Sequence, residues 1–94
     1  DDLTGGSGAD VFVFEFTSDS YAGAGNRDTI TDFGNGADRI DLSNIGGLNF
    51  AGDITLNTSG GNTIGGIDTN GDNVDDMQIF VTGVTDLNAG DFIL

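Results

Sequence analysis

Ninety-four residues is the length of one domain built around one small core. Sixteen acidic residues, fifteen of them Asp, stand against Arg27 and Arg39 alone, giving a formal charge of −14 in a chain with 17 Gly and no Pro, Cys, His, Lys or Trp. This inventory excludes disulfides, zinc sites with thiolate or imidazole ligands, Ser-His-Asp and Cys-His triads, Schiff-base chemistry and a Walker-type phosphate loop, and two arginines make no basic patch for nucleic acid.

In chain order, the clear signals are short strands. Residues 11–16 alternate so that Phe12, Phe14 and Phe16 share one face, and Thr29-Ile30-Thr31 is β-branched throughout. Residues 39–42 alternate with Ile40 and Leu42 inward. Further strands are expected at 53–57, around 63–67, at 77–82 and at 92–94. Between them, Gly34-Asn35-Gly36 reads as a tight turn and Ser59-Gly60-Gly61-Asn62 as a hairpin turn. Glycine interrupts every candidate helix, and one helical turn is expected at residues 86–89. The expected core is Phe12, Phe14, Phe33, Ile40, Leu42, Ile79 and Phe80. The longest apolar run is the four residues from Val11 to Phe14, far short of a membrane span, so no membrane insertion is expected.

The acidity is of a particular kind. Helical acidic surfaces favour Glu, whereas turns and oxygen-only cation sites favour Asp, and here Asp sits beside Gly and Asn. Gly5-Gly6-Ser7-Gly8-Ala9-Asp10-Val11-Phe12-Val13 fits the calcium-binding nonapeptide G-G-x-G-x-D-x-U-x at every specified position. In such a unit the glycine turn presents carbonyls on one side, Asp adds a carboxylate, and the last three residues form a strand with one inward side chain. Gly6, Gly8 and Asp10 are therefore candidate ligands for half of a Ca²⁺ cage, the other half coming from a stacked turn. The alternative is a plain glycine turn before a strand. Weaker echoes place Asp28 eighteen residues after Asp10 and Asp38 within Phe33-Gly34-Asn35-Gly36-Ala37-Asp38-Arg39-Ile40-Asp41. Extended backwards, the frame puts Asp1 and Leu3 in a preceding unit, so the chain reads as cut from a longer protein within a repeat.

A second motif is independent of the first. Asp68-Thr69-Asn70-Gly71-Asp72-Asn73-Val74-Asp75-Asp76 offers side-chain oxygens from Asp68, Asn70, Asp72 and Asp76 at positions 1, 3, 5 and 9, with the Val74 carbonyl at position 7. It resembles the Asp-rich calcium loops of EF-hand-like and thrombospondin-type repeats. Asn73 replaces the expected Gly at position 6, where Asn is the next best residue for a left-handed backbone. Ile79 stands where an EF-hand carries its closing Glu, which excludes an EF-hand. The other reading is an Asp/Asn-rich hairpin loop that holds no ion.

Taken together, the motifs resemble the C-terminal region of bacterial RTX proteins exported by type I secretion, in particular the serralysin C-terminal domain and the R-modules of mannuronan C5-epimerases. The resemblance rests on the nonapeptide, on Ser18-Asp19-Ser20, on Asp28-Thr29-Ile30-Thr31-Asp32-Phe33, on residues 36–43 around Asp38-Arg39-Ile40-Asp41-Leu42-Ser43, and on the terminal Asp91-Phe92-Ile93-Leu94. It implies an all-β fold in which the end of a parallel β-roll, residues 1–42, continues into a β-sandwich-like cap with a hairpin, residues 43–94. It also implies that Asp19 and Asp28 bracket a late calcium site, although the loop between them is longer here than in serralysins.

The expected function is a non-catalytic calcium-binding module of a secreted, extracellular bacterial protein. At submicromolar calcium a chain of −14 repels itself, and outside the cell calcium binding becomes folding free energy. The expected partners are calcium ions, upstream RTX repeats that the module caps, and the type I secretion machinery. The second reading is a calcium-dependent carbohydrate- or surface-binding module, with a polysaccharide as partner. Carboxylate-pair catalysis finds no support, because nothing singles out two acids among sixteen.

Overall fold

The computed structural model describes residues 2–6, 8–23, 25, 27–33 and 38–94. The strands are β1 (Asp2–Leu3), β2 (Val11–Val13), β3 (Asp28–Ile30), β4 (Arg39–Asp41), β5 (Ile54–Ser59), β6 (Asn62–Ile67), β7 (Met77–Val81) and β8 (Phe92–Ile93). A single helical turn, α1 (Phe50–Asp53), precedes β5, and 3-10 turns occupy Thr17–Ser20 and Ala89–Asp91. The chain is all-β, as the alternation predicted, in two open sheets of order β1-β3-β7-β6-β5 and β2-β4-β8. No helix among the described residues is long and apolar enough to cross a membrane.

The path between the sheets explains the order. β1 lies in the first sheet and β2 in the second. β3 then returns beside β1, and β4 returns beside β2, both parallel. β7 and β8 repeat the step, pairing parallel with β3 and β4. Strands from both sides of residue 42 therefore share each sheet. The antiparallel β5–β6 hairpin extends only the first sheet, through β7. It closes on Gly60 and Gly61, both at positive φ (+60° and +82°), the left-handed pair that a two-residue hairpin turn requires.

One core joins the sheets. Phe12, Phe14, Ile40, Leu42 and Phe92 pack from the β2-β4-β8 side against Ile30, Ile54, Ile67, Met77, Ile79 and Val81, with Phe33 beside Phe12. Phe50 of α1 covers one end, its ring 5.7 Å from that of Phe92. One expected core position, Phe80, differs, and Phe16 departs from the face it was expected to share with Phe12 and Phe14. Phe16 is 66% exposed, because β2 ends at Val13 and the chain turns into Thr17–Ser20 before the alternation reaches it. Phe80 is only half-buried: consecutive strand residues face opposite ways, so with Ile79 inward Phe80 points outward, between Thr29 and Ile64. The helical turn expected at 86–89 sits slightly later, at Ala89–Asp91, where the Asn88 side chain accepts from Gly90 N. The turn at Gly34-Asn35-Gly36 lies outside the described residues.

Local carboxylate bonds fix the strand ends. Asp41 Oδ1 accepts from the Ser43 hydroxyl at 2.6 Å and the Ser43 N–H at 2.8 Å, and these bonds hold its pKa below the ordinary 3.8. A carboxyl depressed in this way favours the fold above the unfolded value, and the contribution is lost as pH falls through the lower folded value. Ser43→Ala is expected to raise the Asp41 pKa towards 3.8 in an NMR titration of the side-chain carboxyl. An unchanged titration would mean that the bond does not form.

Candidate metal centre

The loop between β6 and β7 is built around Asp68, which is buried at the end of β6. Its backbone N–H donates to Asp53 O, while Asp76 N donates to Ile67 O, so the two ends of the loop are clamped to the sheet. The Asp68 carboxylate faces the loop's own amides: Asn70 N at 3.2 Å and Gly71 N at 2.8 Å reach Oδ1, and Asn73 N at 2.7 Å reaches Oδ2. Asn73 adopts φ +63°, the left-handed turn that its residue type was expected to tolerate. Desolvation pushes the Asp68 pKa up, but donors from Asn73, Gly71, Asn70 and Asp72 together outweigh it and hold the carboxyl below its ordinary value.

The same wrapping brings other acids inward. Asp76 Oδ2 accepts from Thr69 N at 2.8 Å and Thr69 Oγ1 at 3.1 Å. Asp72 Oδ1 accepts from Val74 N at 3.0 Å, and Asn70 Oδ1 from Asp72 N at 3.2 Å. One oxygen each from Asp68, Asp72 and Asp76 lies within 4.8 Å of the other two, a grouping that could hold a metal ion. The donors are all oxygens, which suits a hard cation. Asn70 belongs to the loop through its backbone and amide, and the Val74 side chain points to solvent.

The glycine turn forms a second arrangement. Gly6 and Gly8 have φ of +88° and +95°, as the nonapeptide requires. A Cβ on Gly5 would overlap the Asp10 carboxylate, so the turn closes directly over that side chain. The stacked turn follows β3: Asp32 accepts from Gly5 N at 2.9 Å and Gly6 N at 2.7 Å, and Asp38 Oδ1 accepts from Asp10 N at 2.9 Å. Asp10 Oδ2 is buried without a hydrogen-bond partner, alone in this among the described residues. A buried orphan oxygen beside Gly5 fits a cation ligand.

The structure thus unites Asp10 with Asp38 across 28 residues rather than with Asp28 across eighteen, because β2 pairs with β4 and β3 with β1. Asp28 is buried at the start of β3, and its N–H donates to Ser20 Oγ at 2.8 Å. Asp19 Oδ2 accepts from Glu15 N and Phe16 N, securing its own 3-10 turn. Neither belongs to the Asp68-Asp72-Asp76 group. Asp32 and Thr69 were not singled out as site residues. Asp32 stands as the second acid of Asp28-Thr29-Ile30-Thr31-Asp32-Phe33, whereas Thr69 carries no signal beyond its place next to Asp68.

The family described as Peptidase M10 serralysin C terminal matches residues 1–94. Among solved structures, the AlgE6R2 subunit of the Azotobacter vinelandii mannuronan C5-epimerase is similar, with 29% identity, a TM-score of 0.70 and coverage of 99% of this chain. The match spans 64% of that solved chain, just under two thirds of its length. No curated protein matches the chain.

Asp68→Ala removes the acceptor of three loop amides. It is expected to speed hydrogen exchange at Gly71 and Asn73 by about tenfold or more, with no comparable change for Asp86→Ala on an exposed loop. Equal exchange in the two variants would show that Asp68 does not organise the loop.

Proposed function

The chain belongs to the serralysin C-terminal family of the M10 peptidases, and on that premise we propose that it is a non-catalytic calcium-binding C-terminal module of a secreted bacterial protein. The observation that carries the reading is the convergence of Asp68, Asp72 and Asp76 in a loop whose ends are tied to Asp53 and Ile67 by backbone hydrogen bonds. Calcium suits this donor set because it accepts oxygen ligands in flexible geometry, whereas magnesium demands a near-ideal octahedron. The glycine turn is the second ligand group, with Gly6, Gly8, Asp10 and Asp38 from two stacked turns. Asp19 and Asp28 remain candidates for a third.

Charge supplies the switch. Fourteen excess negative charges oppose compaction, and ions that bind only the folded carboxylate clusters offset the repulsion. At submicromolar cytosolic calcium the chain stays open for the type I secretion machinery. At the roughly millimolar calcium typical of extracellular modules it folds. Once folded, β1 and β2 each stand at one outer edge of their sheets, with β5 and β8 at the opposite edges. Upstream repeats of the parent protein would pair at the β1 and β2 edges, so that this module caps their roll.

A second reading, calcium-dependent binding of a polysaccharide, is favoured by one feature. Arg27 lies 5.1 Å over the Phe80 ring on the outer face of the five-stranded sheet, beside exposed Tyr21. A glycan screen with and without chelator separates the two readings: calcium-dependent retention of a uronate polymer supports it, and loss of that retention in Arg27→Ala places it on this face.

Thermal melts by circular dichroism are expected to rise steeply with calcium and not with equal magnesium. Calcium at a hundred times its Kd adds about 2.7 kcal/mol for one site. A melting temperature that is the same in calcium and in excess chelator would sink the calcium reading.

A further inference from the structure

Gln78 lies on the outer face of β7, directly opposite Gly66 of β6. Its side chain joins two segments that are far apart in sequence. Gln78 Nε2 donates to Asp75 Oδ2 at 3.1 Å, and Gln78 Oε1 accepts from Gly23 N at 3.0 Å and from Arg27 Nη1 at 3.3 Å. Asp75 directly precedes Asp76 of the acidic group, whereas Gly23 and Arg27 belong to the loop that leads from Asp19 to Asp28.

The surroundings are arranged for this bridge. A Cβ on Gly66 would overlap the Asp75 carboxylate, so the glycine leaves the space that lets Asp75 lie on the sheet and reach Gln78. On the far side, the Ser20 hydroxyl donates to the Gln78 carbonyl and accepts from Asp28 N, and Tyr21 forms a bridge with Met77. Arg27 is held in turn over Phe80, two residues along the same strand. Ser20, Tyr21, Gly23 and Arg27 are thus laid against the start of β7, and one amide side chain connects Gly23 and Arg27 to the loop that ends at Asp76.

We propose that Gln78 is a positioning residue that couples cation binding at Asp68, Asp72 and Asp76 to the ordering of residues 20–28. The inference rests on the calcium reading of the 68–76 loop. An ion that draws Asp76 inward fixes the neighbouring Asp75, Asp75 fixes the orientation of the Gln78 amide, and the amide presents Oε1 to Gly23 and Arg27. The amide group is needed because it is a donor at one end and an acceptor at the other. By linkage, the ordering of residues 20–28 strengthens ion binding in the loop by the same factor. Asp28 would then be positioned according to the state of a site at the other end of the β6–β7 connection.

Gln78→Glu separates this coupling from simple support. It keeps an acceptor for Gly23 and Arg27 but replaces the donor to Asp75 with a second carboxylate. The test is amide hydrogen exchange of the whole chain, in calcium and in chelator, with buried Ile79 reporting opening of the sheet. In the wild-type chain, calcium is expected to slow exchange at Gly71 and Asn73 and also at Gly23, by several-fold beyond any change at Ile79. In Gln78→Glu, Gly71 and Asn73 still respond while Gly23 no longer does. Gly66→Ala, which displaces Asp75 and leaves Gln78 intact, should give the same pattern. The coupling is overturned if Gly23 ignores calcium in the wild-type chain while Asn73 responds, or if Gly23 keeps its calcium response in both variants. If neither Gly71 nor Asn73 responds in the wild-type chain, the calcium reading of the loop fails and the coupling fails with it.

Discussion

Backbone N–H groups closing on aspartate carboxylates are the interaction on which this structure depends. The chain has two cations for sixteen acids, so ion pairing cannot offset the charge. Instead, Asp32 takes the amides of Gly5 and Gly6, Asp38 that of Asp10, Asp19 those of Glu15 and Phe16, and Asp68 those of Asn70, Gly71 and Asn73. Each bond satisfies a turn amide that no strand can reach, and each is strengthened by the charge on its acceptor. In the 68–76 loop the same bonds accompany the gathering of Asp68, Asp72 and Asp76, with one oxygen of each within 4.8 Å of the others. A cation is the natural complement of that arrangement. Fold and ion binding are two consequences of one contact type.

The parallel stacking follows from the same turns. The glycine turn that closes over Asp10 delivers the chain from β1 to β2, and two further passages between the sheets set β1, β3 and β7 beside one another and β2, β4 and β8 opposite them. Strands of two or three residues suffice because each is pinned at its end by a carboxylate rather than by length. The β5–β6 hairpin obeys different rules, with antiparallel register and a Gly-Gly turn. It widens one sheet only, and its continuation beyond β6 into the 68–76 loop places the acidic group between β6 and β7.

Much of this was legible in residue order. The nonapeptide foretold the positive φ at Gly6 and Gly8, the Ser59-Gly60-Gly61-Asn62 stretch foretold the hairpin, and the spacing from Asp68 to Asp76 foretold a loop in which Asp68, Asp72 and Asp76 come together. Long-range register was not legible. The repeat suggested that Asp10 and Asp28 are successive units, but the long loop after β2 shifts the stack, so that Asp38 meets Asp10. Phe16 leaves the face of Phe12 and Phe14 because a 3-10 turn ends the alternation early. Phe80 failed as a core residue because an aromatic beside Ile79 was given the same face. Gln78 carried no motif at all. Its importance comes from which segments the register lays on either side of it, and no local pattern encodes that.

Convergence of the 68–76 carboxylates on calcium is tested by a crystal structure grown in calcium, with anomalous scattering recorded. An anomalous peak bound by Asp68, Asp72 and Asp76 oxygens at about 2.3–2.6 Å is the predicted result. The same three carboxylates bridged only by water, at saturating calcium and with an ordered loop, would contradict it.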